Sequence, residues 1–211
     1  TNALSTASSA ITASVTDLDV RVMIEPTDWQ SGGDSTGLAH QWVETGNKRR
    51  WPFSLLNDGR LAGFITTNGT VGTQVAFGST AVVPRAPVRQ ALRLTVDWNN
   101  GSGGSDWKFW TAPDLTGPWT QLGDTRVGAV LAPAATDVPI SLGDPETAGI
   151  PGPGSPAGGG AGNVFLGAQV YNGRAEAGGT LLVDLDLTDR PHGAASVTDA
   201  RRRAPAPAPT S

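Results

Sequence analysis

The chain has 211 residues and a net charge of −4, so it lacks the cationic balance that duplex binding needs, and nucleic acid is excluded as a main partner. It contains no cysteine, which removes disulfides, thiolate nucleophiles and cysteine-ligated zinc. No apolar run approaches the ~20 residues that span a bilayer, so no membrane partner is expected.

Residues 1–15 are small and polar and read as an arm or a weak first strand; they lack the basic and apolar stretches of a signal peptide. From Asp17 to Glu25 the residues Leu18, Val20, Val22 and Ile24 alternate with Asp19, Arg21 and Met23. A period of two places one face on a core and the other in water. Pro26 stops this strand. Residues 38–44 predict a second strand with Leu38, His40 and Trp42 on one face. Residues 50–56 and 60–66 flank Asn57-Asp58-Gly59, whose residues tolerate positive φ and predict a hairpin. Residues 71–77 predict a further strand. In residues 89–98, Leu92, Leu94, Val96 and Trp98 alternate with Arg93, Thr95 and Asp97. After the turn Asn99-Asn100-Gly101, Trp107, Phe109 and Thr111 alternate with Lys108 and Trp110. A short hairpin-like piece follows Trp119. Residues 141–163 are too rich in Gly and Pro to pack a core and predict a long loop. Residues 164–171 and 180–187 predict two last strands. From residue 191 the chain ends in Ala-Pro repeats, an extended tail. No segment carries a helical stripe, and many short strands separated by turn chemistry predict an all-β sandwich or barrel.

The order of these segments goes further. The strand leading into Asp28-Trp29, the Trp42…Gly46-Asn47…Arg50-Trp51 stretch, the Asn57-Asp58-Gly59-Arg60-Leu61 turn and Trp119-Thr120-Gln121-Leu122-Gly123 follow one another as in a known family. Together they resemble the laminin G-like domains in tail and other virion proteins of phages that infect actinobacteria. The resemblance covers residues 16–190. The loop 141–163 and the tail 191–211 depart from it as additions. It implies a two-sheet antiparallel jelly-roll sandwich of concanavalin A-like type. It also implies a non-enzymatic virion accessory protein, either a minor tail protein or a capsid decoration protein. Such a protein is made in the host cytoplasm, exposed on the particle surface, partnered with other virion proteins and homo-oligomeric. The absence of cysteine fits a bacterial or viral chain better than a small animal extracellular domain. The alternative is a carbohydrate-binding module that recognises host-surface glycan; a glycan hydrolase stands third.

The residues themselves offer several chemistries. Sugar binding needs an aromatic platform with polar neighbours. Trp110 lies on the strand face opposite Trp107 and Phe109, Arg50 has the opposite parity to Trp51, and His40 shares a face with Trp42; these four are the carbohydrate candidates. Against them stands the need of a chain poor in other aromatics to bury its seven tryptophans. Asp97, Asn99 and Asn100 are calcium-ligand candidates, as are Asp28…Asp34 and Asp137…Asp144, although turn chemistry accounts for such residues equally well. No cofactor is expected beyond such a calcium ion, and zinc fits less well because only His40 and His192 offer it nitrogen. Glycosidases of this fold pair carboxylates across a cleft. Asp17-Leu18-Asp19 and Asp184-Leu185-Asp186 lack the partnering Glu and read as the solvated outer faces of strands, so no catalytic residue is assigned. Asp114 and Trp119 loosely resemble a bracing Asp-box hairpin, a structural reading. Arg201, Arg202 and Arg203 are candidates for an assembly contact.

Overall fold

The computed structural model describes residues 4–5, 17–26, 28–29, 35–43, 45–138, 140–143 and 164–187. Among these residues there are thirteen strands and no α-helix. In chain order they are β1 (Leu4–Ser5), β2 (Asp17–Glu25), β3 (Thr36–Val43), β4 (Lys48–Leu55), β5 (Arg60–Thr66), β6 (Gln74–Val82), β7 (Gln90–Asp97), β8 (Gly104–Ala112), β9 (Thr120–Gln121), β10 (Arg126–Ala129), β11 (Ser141–Leu142), β12 (Val164–Asn172) and β13 (Thr180–Asp186).

The strands form two antiparallel sheets, a sandwich of the jelly-roll kind expected from the sequence. One runs β1-β11-β3-β4-β5-β6. The other, of seven strands, runs β10-β8-β7-β2-β12-β13, with β9 paired to β8. Strand β2 is the spine of the second sheet. Its apolar alternation sends Leu18, Val20, Val22 and Ile24 into the core, and β7 pairs with it so that Leu92, Leu94 and Val96 lie beside them. Trp107 and Phe109 of β8 extend the same surface. Trp51 and Phe53 of β4 with Leu61 and Ile65 of β5 meet it from the other sheet. One continuous cluster of buried side chains reaches from Leu18 to Leu187.

Trp107 sits at the centre. Trp98 meets it edge-on with ring centroids 5.7 Å apart, and Phe77 lies 5.2 Å away. Gly63 of β5 faces this point. A Cβ there would lie 2.8 Å from Leu94 Cδ2 and 3.0 Å from the Trp107 ring, so the absence of a side chain lets the sheets close.

Three local expectations change. Residues 71–73 form a 3-10 turn, and the strand starts only at Gln74. The single face predicted for Leu38, His40 and Trp42 is interrupted, because register shifts between Gly37 and Ala39 and between Gln41 and Trp42 break the alternation. Leu38 and Ala39 both enter the core as a result. Third, Asp19 is not on a solvated face; it is fully buried. The loop 141–163 is described only at its first residues, where β11 forms, and the tail lies outside the described residues.

Candidate functional site

Because the even-numbered residues of β2 face the core, Asp19, Arg21 and Met23 point away from it, together with Arg93 and Thr95 of β7, Lys108 and Trp110 of β8, Gln169 and Tyr171 of β12, and Asp184 of β13. Register then sets the neighbours. Trp110, Arg93, Arg21, Gln169 and Asp184 lie in one row across five adjacent strands. Lys108, Thr95, Asp19 and Tyr171 form the next row.

Two arginines directly opposite each other would repel. Here the repulsion is cancelled by acids. Asp19 Oδ1 accepts from Nε of Arg93 at 2.8 Å and Nε of Arg21 at 3.2 Å. Its Oδ2 accepts from Nη2 of Arg93 at 2.8 Å, Nη2 of Arg21 at 3.1 Å and the Ala175 amide at 3.2 Å. Glu176 bridges the same two Nη2 atoms, with Oε1 at 3.2 Å from Arg21 and Oε2 at 2.6 Å from Arg93. Burial alone would raise the Glu176 pKa, but its bond to Arg93 and the charges of both arginines bring it below the ordinary carboxylate value. Burial likewise opposes the Arg93 charge, and the bonds to Asp19 and Glu176 outweigh it.

Aromatic rings surround the pair. The guanidinium carbons of Arg21 and Arg93 each lie 5.3 Å from the Trp119 ring. Arg21 is 4.9 Å from the Tyr171 ring, and Arg93 is 5.7 Å from Trp110. These separations are those of cation–π contacts. All three rings remain partly exposed. Trp110 is fixed by its Nε1–H donating to Thr95 Oγ1 at 3.1 Å, and Tyr171 by its hydroxyl donating to Gln169 Oε1 at 3.1 Å. The 113–119 segment brings Trp119 into place. Asp114 Oδ1 accepts from the Thr116 amide and hydroxyl, bracing the turn, and the Leu115 carbonyl accepts from Arg21 Nη1.

No protein-family model matches the chain, and no curated protein matches it. Solved structures that align with it include domains LG4-5 of the mouse laminin alpha1 chain, at 16% identity and a TM-score of 0.48, covering 90% of this chain and 41% of that one. Another is the CBM40 of a Ruminococcus gnavus IT-sialidase bound to alpha2,3 sialyllactose, at 17% identity and a TM-score of 0.43, covering 76% and 77%. A third comes from a study of botulinum neurotoxin type C cell entry through two ganglioside molecules, at 12% identity and a TM-score of 0.41, covering 64% and 29%.

Of the four residues picked out for sugar, Trp110 stands in the cluster. His40, Trp42 and Arg50 are only 4%, 1% and 3% exposed, so none offers the open surface that a stacking platform requires. Burial also lowers the His40 pKa to about 4, partly offset by the nearby backbone of Trp42. The calcium candidates Asp97, Asn99 and Asn100 brace their own turn. Asp97 Oδ1 accepts from the Asn99 amide, Asn99 Oδ1 from the Gly101 amide, and Asn100 Oδ1 from the amides of Ser102 and Gly104. Among the described residues no group of three or more His, Asp or Glu is placed to hold a metal. Asp34, Asp144 and Arg201, Arg202 and Arg203 lie outside the described residues.

Arg21, Arg93, Asp19, Glu176, Trp119 and Tyr171 were missed as site residues. The charges on the outward parity of both β2 and β7 were the available signal. Their meeting depends on register, which no local pattern specifies.

Proposed function

We propose that this chain is a non-enzymatic glycan-recognising sandwich that meets its ligand on the outer face of the seven-stranded sheet. The observation that carries this reading is the gathering of three part-exposed aromatic rings, Trp110, Trp119 and Tyr171, around two arginines on a face turned away from the core. Aromatic rings stack on the apolar face of a pyranose, while Arg, Gln and Asp side chains bond its hydroxyls. Gln169 and Asp184 supply such groups in the same row, joined by a 3.2 Å hydrogen bond. The acid at the centre is an anchor: Asp19 accepts five hydrogen bonds and has no exposed surface, an environment suited to holding two arginines and not to shuttling a proton.

Titration against a glycan array, repeated in calcium, tests the reading. Trp110→Ala and Tyr171→Ala are expected to abolish retention of any glycan the wild type holds while both variants stay folded. Full retention by both would count against this face.

On the ordered sequence resemblance we further propose that the sandwich is carried on a phage particle, as a minor tail or capsid decoration protein in several copies. Electron cryomicroscopy of purified particles should locate it there; its absence from them would remove this placement.

A further inference from the structure

The two acids of the arginine cluster are not equivalent. Asp19 is fully buried, whereas the Glu176 side chain is 56% exposed although both bridge the same arginines. Glu176 belongs to the 3-10 turn Ala175–Ala177 between β12 and β13, which buries no residue. That turn is held by its own backbone bonds: the amides of Ala177 and Gly179 both donate to the Arg174 carbonyl, and the Gly178 amide donates to the Ala175 carbonyl. The Glu176 side chain can therefore leave the arginines without unfolding the turn. Once it leaves, two guanidinium groups face one carboxylate, and the Nη2 atoms of Arg21 and Arg93 each lose an acceptor. The Arg93 side chain is 4% exposed, and its Nε and Nη2 donate to the two acids. Two nearly buried guanidinium groups that share an exposed carboxylate form a prepared anion site.

We infer that Arg21 and Arg93 form a carboxylate subsite that Glu176 occupies in the unliganded protein, and that its ligand is a carboxylate-bearing sugar whose ring lies against Trp110, Trp119 and Tyr171. The ligand class follows from the group already seated there. A carboxylate spans the two Nη2 atoms with one oxygen on each arginine. The sugar part rests on the glycan-binding reading; the carboxylate subsite does not. Glu176 then acts as a competitor in its own chain, lowering apparent affinity by the fraction of molecules in which it is seated.

Two measurements on wild type and Glu176→Gln decide this. The first follows the guanidinium Nε–H signals of Arg21 and Arg93 by NMR while acetate is added. Both signals should shift saturably, and Glu176→Gln should bind at least roughly fivefold more tightly, because an exposed competing charge has been removed. Signals that do not move in either protein, or equal affinities, would overturn the subsite. The second titrates sugar pairs that differ in a carboxylate, trigalacturonate against galactotriose and sialyllactose against lactose. The acidic member should bind more tightly, and only its affinity should rise in Glu176→Gln. Neutral and acidic sugars binding alike would overturn the acidic-ligand assignment and leave the glycan reading standing. Acetate binding at the arginines with no sugar bound by either protein would overturn the glycan reading and, with it, the sugar as ligand, while the subsite stands. Both arginines stay unmutated because they also hold Asp19.

Discussion

Asp19 and Glu176 touch the same two arginines, yet their removal should have very different consequences. Losing one partner of a buried charge network strands the others, at a typical cost of about 3–5 kcal/mol. Asp19→Asn is expected to lose stability in that range, read as a lower urea midpoint, because Arg21 and Arg93 would remain opposed in register with the exposed Glu176 as their remaining acid. Glu176→Gln should change stability by less than about 1 kcal/mol, since half its side chain is in water. Equal losses in the two variants would mean that the acids share the structural load. His40 gives a second prediction at this scale. It is buried with neither ring nitrogen hydrogen-bonded, and burial holds its pKa at about 4, below the ordinary 6.5. Between those values the unfolded chain takes up a proton that the folded chain refuses, so stability falls as pH drops from 6.5 towards 4. The loss is on the order of 3 kcal/mol for the full shift. His40→Leu should raise stability at neutral pH by ~1 kcal/mol. It should also flatten the slope between pH 5 and 6.5, a window above the carboxylates. Chemical denaturation of both proteins at several pH values measures this, and an unchanged slope would place His40 outside the acid response.

At the scale of elements, the sheets are held at their spacing by a complementary surface in which Gly63 faces Leu94 and Trp107. Leu94 Cδ2 is the end of a rotatable side chain, but Trp107 is fully buried and wedged by Trp98 and Phe77. Gly63→Ala should cost about 1–3 kcal/mol through overpacking, and Gly63→Val more. Urea unfolding of the two variants checks the order; a neutral Gly63→Val would show slack between the sheets. Strand parity was legible from the sequence along β2, β7 and most of β8, because no register shift interrupts the β2–β7 and β7–β8 pairing. It was not legible along β3. There two register shifts carry Leu38 and Ala39 together into the core; Gly37 adjoins the first shift, but no residue type marks the second, between Gln41 and Trp42. The same limit applies to the site. Trp110 could be placed on an outer face from its own strand, while the meeting of Arg21 with Arg93 needed the β2–β7 register, and Glu176 reached them only through the β12–β13 turn.

For the whole molecule, one core reaches from Leu18 to Leu187, and Trp51, Trp98 and Trp107 sit within it. The chain should therefore unfold in a single step, with indole fluorescence and far-ultraviolet circular dichroism following one urea transition. Separate transitions by the two probes would divide the core. By itself the sequence determined that this is an all-β chain with alternating faces, and it excluded thiol chemistry and a cationic nucleic-acid surface, because parity, turn residues and composition are local properties. Only the tertiary structure decided that an outward face could be buried. Charged residues that alternate with a core read as solvent-exposed until a turn and a loop from distant parts of the chain are laid over them. Here the 113–119 segment and the turn at Glu176 do so and convert two solvated-looking arginines into an enclosed pair.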